Sequence, residues 1–406
     1  MNNKIGRMRS WLHAIGPGII TAALVFGPSK MTITSQLGAD YGYALLWIVI
    51  VAIFFMITYT TMAARIGLAT QQSLLSTIKQ RWGKAIAITI GGCIFLVTAS
   101  FQAGNAAGTG ISLSELTGVS PRITIVLFSL LAAGLLFFRS FYKLLETFMT
   151  AMVIVMLLAF VATLFLATPE WRAVSIGFRP SLPKGSEVLV IAFIASCFSI
   201  VGAFYQSYLV QENRRVSHLA DQLVAKDKSI AGMLILGFMS MAVMVCSASI
   251  LHPAGIAIQT ASDMGSALEP LFGQRAAAIF LIGLFAASFS SLVGNATVGG
   301  TLLADALGYG HHFSSRAVRI CIALVMLAGV IVSILFGRVP LQLIVLAQGV
   351  TVFIVPIIGV AMFLIARDKR IMGNSANSLF TNFWGALGLL LIIFLAVAGL
   401  RSLILL

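Results

Sequence analysis

Lys30 is the residue of this chain whose chemistry is hardest to place outside a functional site. It follows Gly27-Pro28-Ser29 in the middle of the first long apolar stretch. Such a run breaks a helix, and a broken helix at membrane depth is tolerated only where protein or a water-filled cavity satisfies the freed backbone groups. An ionisable side chain at that depth is expensive and usually faces a bundle interior or a cavity. The combination predicts a cationic substrate site in a membrane transporter.

The elements that would hold this site are membrane helices. Of the 406 residues, 59% are hydrophobic and 9% are charged, and the mean hydropathy is +1.03. Soluble domains contain about 25% charged residues, so the composition indicates an all-α integral membrane protein. Apolar windows of about 20 residues predict eleven transmembrane helices in one transporter domain covering 1–406. Their predicted bounds are 15–37, 43–65, 85–113, 123–141, 146–167, 188–210, 229–251, 276–304, 317–337, 340–366 and 383–405.

The charged residues predict an orientation. Lysines and arginines concentrate at alternate ends of the predicted helices, beginning with the N-terminal leader. The positive-inside rule then places the N-terminus in the cytoplasm and the C-terminus on the other side of the cell membrane. This explains the formal net charge of +14 without a nucleic-acid partner. The 12 acidic residues fall in loops or near helix ends, so no midplane carboxylate cluster for Mg²⁺, Mn²⁺ or Fe²⁺ is predicted.

Enzymatic and cofactor-dependent functions are not indicated. The four cysteines each lie in an apolar run without a Cys-x-x-Cys pair, so neither a disulfide framework nor a thiolate metal site is predicted. No nucleophile, histidine and carboxylate share one depth, and no phosphate-binding Gly-x-x-x-x-Gly-Lys-Ser/Thr motif occurs. We therefore expect no cofactor and no ATP hydrolysis. Transport would be driven by an H⁺ or Na⁺ gradient, or would be uniport.

Several motifs occur in the order found in a known transporter family. The opening stretch with Gly16-Pro17-Gly18, Gly27-Pro28-Ser29-Lys30 and Gly38-Ala39-Asp40-Tyr41-Gly42-Tyr43 resembles the start of the Nramp family of divalent-metal transporters. Matching segments continue along nearly the whole chain, including Ala64-Arg65-Ile66-Gly67, Gly108-Thr109, Tyr142-Lys143-Leu144-Leu145-Glu146, Pro169-Glu170-Trp171, Ser207-Tyr208-Leu209-Val210-Gln211, Gly283-Leu284-Phe285-Ala286-Ala287, Ala347-Gln348 and Asp368-Lys369-Arg370-Ile371-Met372-Gly373.

The resemblance implies a LeuT-like fold that works by alternating access. In this fold two inverted repeats of five helices, approximately 15–167 and 188–366 here, are followed by an extra helix at 383–405. Helices 1 and 6 are expected to break near the bilayer centre and to bind substrate there. The break in helix 6 is expected near 199–203.

The sequence departs from the family at the substrate site. Where the family has Asp-Pro-Gly-Asn, with metal-binding Asp and Asn, this chain has Gly27-Pro28-Ser29-Lys30. The family's Met-Pro-His signature in helix 6 aligns with Ser199-Ile200-Val201, and a tenth-helix Gln near the metal aligns with Ile354. The Asp and Glu of the proton route align with Gln102 and Asn105. The resemblance therefore implies a rebuilt metal site and proton route.

Four interpretations of the substrate follow. The first is a small anion of carboxylate or bicarbonate type, bound by Lys30, helix N-termini and neutral donors. The second is a neutral or zwitterionic solute, with Lys30 in place of a bound cation. The third is a divalent metal cation with atypical ligands, for which Lys30 rotates away; the fourth is a sensor that does not transport. The candidate substrate-binding residues are Gly27, Ser29, Lys30, Gln102, Asn105, Ser199, Gly202, Tyr205 and Gln348.

Some of these residues also have a structural interpretation. Lys30 could cap a freed carbonyl at the helix break. Gln102 and Asn105 lie on one helix face, where amides also form hydrogen bonds between helices. A further set of small and polar residues in the eighth predicted helix is typical of tight helix packing: Ser288, Ser290, Ser291, Gly294, Asn295, Gly299 and Gly300.

Overall fold

The computed structural model describes residues 26–135, 139–198, 200–216, 222–312, 315–335 and 340–404. In this part of the chain the regular elements are helices joined by loops, without strands. The helices are α1 (Pro28–Tyr41), α2 (Leu46–Ala69), α3 (Leu74–Trp82), α4 (Lys84–Thr117), α5 (Pro121–Leu135), α6 (Arg139–Leu166), α7 (Trp171–Ile176), α8 (Glu187–Phe198), α9 (Ile200–Val216), α10 (Gln222–Ile250), α11 (Ala261–Gly265), α12 (Glu269–Phe272), α13 (Ala276–Leu307), α14 (Arg316–Leu335), α15 (Pro340–Thr351), α16 (Val355–Arg367), α17 (Lys369–Met372) and α18 (Leu379–Ile404).

Helix ends follow the local sequence. Pro28 occupies the first turn of α1, where its fixed φ suits the helix and its missing N–H is not needed. Ser73 caps α3 by accepting a hydrogen bond from the Ser76 N–H at 3.1 Å. Gly118 ends α4 with a φ of 73°, a left-handed conformation that glycine adopts without strain. α4 therefore ends four residues beyond the predicted bound at 113, whereas α3 lies between two predicted spans and was not predicted.

The predicted number of helices is only partly matched. Within the described residues, seven helices are long and apolar enough to cross a membrane, or eight when α15 and α16 are counted as one bent span. α5 and the stretch Ala151–Leu166 of α6 are shorter apolar helices, and the first predicted span begins in residues 1–25, outside the described part. The total of eleven therefore remains a prediction.

The break expected in the sixth span is only partly described. α8 ends at Phe198 and α9 begins at Ile200 and is helical through Gly202 and Ala203, while position 199 lies outside the described residues, so a break at 199 remains a prediction. The tenth span contains a break that the sequence did not predict, a 41° bend between α15 and α16. Pro356 in the first turn of α16 removes a helical N–H there.

The membrane helices pack as two groups. α4, α5, α13 and α14 form one group, in which α13 packs most extensively on α4. α1, α2, α8, α9 and α10 form the other, in which α9 packs on α2 and α1 packs on α10. α9 makes few contacts with α13 or α4, whereas α15 contacts α4, α8 and α1 and joins the groups near the start of α1.

Candidate functional site

The candidate site is built around the first turn of α1. Gly27 precedes the helix in an extended conformation, and its carbonyl accepts the first helical hydrogen bond, from the Met31 N–H at 3.3 Å. The N–H groups of a first turn have no partner within the helix, and the positive end of the helix dipole lies there. Ser29 and Lys30 are both buried in this turn. The start of α1 is therefore an electropositive position inside the protein.

Lys30 carries a buried amine. Its side chain is 3% exposed, and its Nζ atom has no hydrogen-bond partner among the described residues. The amine lies within electrostatic range of the Cys197 thiol near the end of α8. Burying a charged group without a partner is costly. Lys30 therefore destabilises the protein by itself, and a bound negative charge would offset that cost.

Ser29 links α1 to α15. The Gln348 side-chain amide on α15 donates a hydrogen bond to Ser29 Oγ at 2.8 Å, and Gln348 is 4% exposed. A Cβ on Gly104 would lie 3.2 Å from Ser29 Oγ, so α4 approaches the same hydroxyl. The structure thus joins Gln348 to Ser29 at the start of α1, in the same helical turn as Lys30, and the role of the three residues in substrate binding remains a prediction.

Asn105 borders the same turn. Its amide donates to the Ser291 carbonyl oxygen at 3.1 Å. A Cβ on Gly27 would lie 2.9 Å from Ser291 Oγ and 3.8 Å from Asn105 Oδ1, so both side chains face the residue that precedes α1. Ser291, assigned from the sequence to helix packing, is therefore next to the site. Its place on α13 gave no signal that it would face Gly27.

Gln102 makes hydrogen bonds between two helices, which was its structural interpretation. Its amide nitrogen donates to the Leu292 carbonyl at 2.6 Å, and its oxygen accepts from Asn295 at 2.9 Å. Asn295 also donates to the Thr98 carbonyl at 2.8 Å. With both ends of its amide engaged and no exposed surface, Gln102 bridges α4 and α13, and its role in substrate binding remains a prediction.

The predicted residues of the sixth span are described only in part. Ser199 is outside the described residues. Gly202 is exposed, and Tyr205 is half-buried with its ring stacked on Tyr208 at a centroid distance of 6.1 Å. Cys197 comes closer to Lys30 than the sequence indicated, because its place in an apolar run carried no signal of contact with the amine.

The donor set of this site is unlike a metal site. Among the described residues, no group of three or more His, Cys, Asp or Glu side chains could hold a metal ion. The groups around the start of α1 are an amine, two hydroxyls, two amides and backbone N–H groups. Mn²⁺, Fe²⁺ and Mg²⁺ are usually held by carboxylates or other anionic and carbonyl ligands. The arrangement therefore suits a negatively charged ligand better than a divalent cation.

The Ser29–Gln348 hydrogen bond predicts a stability effect. Ser29→Ala should leave the buried Gln348 amide without an acceptor and destabilise the protein by about 1–3 kcal/mol. Thermal unfolding of the purified protein in detergent measures this, with Ser175→Ala at an exposed position of α7 as the matched control. Equal melting temperatures for wild type and Ser29→Ala would show that the bond does not contribute.

Comparison with known proteins identifies the family. Residues 18–402 match the family described as natural resistance-associated macrophage protein-like, or Nramp. A divalent metal cation transporter, MntH, from Pectobacterium carotovorum is 27% identical over 388 residues, covering 94% of this chain and 92% of the relative. The protein of the same name from Deinococcus radiodurans is 26% identical over 387 residues, covering 90% and 84%.

Solved structures show the same fold. A mutant of the Eremococcus coleocola manganese transporter matches with a TM-score of 0.73 at 17% identity, covering 97% of this chain and 87% of that one. Mhp1, a nucleobase-cation-symport-1 family transporter in a closed conformation with bromovinylhydantoin bound, matches with a TM-score of 0.63 at 13% identity, covering 96% and 92%. Both likenesses confirm the LeuT-like, all-helical fold. Since the family match extends over nearly the whole chain, this protein belongs to the Nramp family and is a multi-pass secondary transporter rather than an enzyme.

Proposed function

We propose that this Nramp-family transporter carries a small anion of carboxylate or bicarbonate type, with Lys30 as the binding cation. The observation that supports this most is the buried, unpaired Lys30 amine in the first turn of α1. The family resemblance aligns Gly27 with the family's metal-binding aspartate, which supports a site without a carboxylate to compete for the amine. Ser29, Asn105 and Gln348 supply neutral polar groups around the same turn.

Electrostatics favours an anion over a divalent cation. At 4 Å and an effective dielectric constant of 20, two unit charges interact by about 4 kcal/mol, so a charged Lys30 would attract a monovalent anion by about that amount. A divalent cation at the same distance would be repelled by about 8 kcal/mol. Hydroxyl and carbonyl ligands do not offset a repulsion of that size, and the N-terminus of α1 adds to it.

A divalent metal cation is the second candidate. The relatives named above are divalent metal cation transporters, and the match covers most of both chains. For this function Lys30 would have to be neutral or turned away, leaving the Gly27 carbonyl, Ser29 and Gln348 as ligands to a partly hydrated ion. The fold does not decide between the candidates, because Mhp1 has the same architecture and binds an organic molecule.

The proposal includes an orientation and a coupling mode. We place the helix ends that contain Arg65, Lys84, Arg319 and Arg367 on one side, here called the basic face, and by the positive-inside rule this side is cytoplasmic. The N-terminus is then inside the cell and the C-terminus outside, in one domain of two inverted repeats and an extra helix. Coupling to H⁺ or Na⁺ would drive uptake without ATP.

Uptake into proteoliposomes tests the substrate class. We expect saturable uptake of radiolabelled lactate or pyruvate, inhibited by bicarbonate, and no saturable Mn²⁺ uptake as read by quenching of trapped calcein. Empty liposomes provide the control for passive entry of the protonated acids, and serine serves as a zwitterionic probe.

The two candidates give different results. Saturable Mn²⁺ uptake without uptake of either carboxylate would overturn the anion proposal and support the divalent cation. Saturable serine uptake alone would also overturn it, because the substrate would then be zwitterionic.

A further inference from the structure

The basic face holds a buried carboxylate whose contacts connect the two helix groups. Asp305 lies in the last turn of α13, at a position that the sequence placed only near a helix end, and it is 8% exposed. Its Oδ2 atom accepts hydrogen bonds from Tyr208 Oη and Ser73 Oγ, both at 2.6 Å. Tyr208 belongs to α9 and Ser73 to the linker between α2 and α3. These two hydroxyls satisfy one oxygen of the carboxylate.

The second carboxylate oxygen faces a histidine. His311 Nδ1 lies 3.8 Å from Asp305 Oδ1, and the imidazole packs edge-on against the Tyr208 ring at a centroid distance of 5.4 Å. The His311 side chain is 23% exposed, compared with 5% for Asp305. Histidine is the side chain that titrates in the physiological pH range. A partly exposed imidazole thus lies beside a buried carboxylate at the basic face.

Other bonds hold α9 to the same linker. The Gln211 amide donates to the Gln72 carbonyl at 2.7 Å and to the Thr70 carbonyl at 3.2 Å. The backbones of α2 and α9 also approach closely, since a Cβ on Gly67 would meet the Ser207 carbonyl oxygen. The linker and α9 are therefore joined independently of Asp305. By contrast, α9 makes few contacts with α13, so the Asp305 hydrogen bonds are a polar connection across a sparse boundary.

We propose that Asp305, Tyr208, Ser73 and His311 form a proton-responsive latch that holds the basic face closed, with Asp305 as the positioning residue. When α9 moves away from α13, Asp305 loses both hydroxyl donors and that face opens. A protonated His311 attracts the Asp305 carboxylate and stabilises the closed arrangement, whereas a neutral His311 weakens it. Acidification of the basic face therefore favours closure. This inference does not depend on which substrate is carried.

Among the recorded contacts of His311 and its partners, the one carboxylate is Asp305. α13 contributes Asp305, α9 contributes Tyr208, and the segment from 70 to 75 contributes the neutral Ser73 and the Leu75 N–H, which lies 3.4 Å from Tyr208 Oη. His312 stacks on His311 at 4.9 Å between ring centroids, and a charge on His312 would oppose one on His311. The nearest carboxylate in this set is Asp305, so the attraction is directed at the latch.

Distances between spin labels test the latch. Labels at Leu209 on α9 and Leu307 at the end of α13 are both exposed, and they report separation across the boundary once the four native cysteines are replaced by alanine. In lipid nanodiscs we expect the wild type to have a shorter mean distance at about pH 5.5 than at about pH 8. Asp305→Asn and Tyr208→Phe should each lower the closed-to-open ratio by about tenfold at both pH values.

The histidine variants separate a latch from a merely structural contact. His311→Asn should remove the pH response while leaving the protein folded, and His312→Asn is the matched control that should retain it. Tyr309→Phe, at an exposed tyrosine near the same helix end, is the control for Tyr208→Phe. Unchanged distance distributions in both Asp305→Asn and Tyr208→Phe would overturn the proposal. A pH response that persists in His311→Asn would overturn the role of the histidine.

Discussion

Replacing Lys30 by methionine is expected to weaken transport at least tenfold and, at the same time, to make the unliganded protein more stable. The two effects have opposite signs because the same buried amine binds substrate and destabilises the empty site. Removal of an unsatisfied buried polar group should stabilise by about 1–3 kcal/mol. Loss of a charge pair with the substrate should weaken lactate or pyruvate uptake at least tenfold, a conservative figure beside an attraction of about 4 kcal/mol. Thermal unfolding and proteoliposome uptake measure the two effects.

Two further variants serve as controls for this prediction: one removes a different lysine, and the other replaces Lys30 by arginine. Lys84→Met removes an exposed lysine at the start of α4 and should change neither stability nor uptake. Lys30→Arg keeps the charge but places a larger, planar group in a site with almost no free surface, so we expect it to restore little uptake. If Lys30→Met instead lowered the melting temperature and left uptake intact, Lys30 would be a structural residue and the proposed function would fail.

Gly300→Ala is expected to be among the most damaging single methyl additions in the described membrane helices. A Cβ at this position would overlap the backbone N and Cα atoms of Ile322, so α13 and α14 would have to separate. Overpacking usually costs about 1–3 kcal/mol, and backbone atoms relax less easily than side chains, so we expect the upper end of this range. The readout is the melting temperature and the yield of monodisperse protein after size-exclusion chromatography.

Two glycines of the same helix provide the comparison. A Cβ on Gly299 would meet the Thr98 side chain, which can shift, so Gly299→Ala should be intermediate. A Cβ on Gly294 would meet nothing within 4 Å, and Gly294→Ala should be neutral or stabilising by up to about 1 kcal/mol through the higher helix propensity of alanine. A melting temperature of Gly300→Ala equal to that of Gly294→Ala would contradict the close approach of α13 and α14.

The helix packing of α13 shows where sequence reasoning reached its limit. Gly294, Gly299 and Gly300 were assigned together to tight packing, but the structure gives that role to Gly299 and Gly300 and leaves Gly294 without a close neighbour. Gln102 and Asn105 share a helix face and both donate to backbone carbonyls of α13, yet Asn105 also borders Gly27 at the start of α1. Membrane helices are apolar on most sides, because lipid is as apolar as a protein core, so the sequence pattern does not indicate which face meets which neighbour.

The bend in the tenth span has a local cause. Pro356 lies in the first turn of α16 and has no N–H to donate, and the backbone between α15 and α16 is satisfied by turn hydrogen bonds within 349–354. In the sixth span, no proline occurs between Ile200 and Ala203, and these residues are helical. The family resemblance predicted the overall fold correctly, whereas the bend in the tenth span follows from the local sequence.

The sequence by itself determined the membrane class, the approximate bounds of several helices and the family, and it predicts that Gly27-Pro28-Ser29-Lys30 replaces a metal-binding motif. These properties depend on hydropathy, turn residues and order along the chain, all of which are local. The tertiary structure decided that Lys30 is buried near Cys197, that Gln348 bonds to Ser29, and that Asp305 joins Tyr208 to Ser73. Those contacts join residues far apart in the chain, and they depend on the rotation and crossing of helices, which are fixed by packing over the whole bundle.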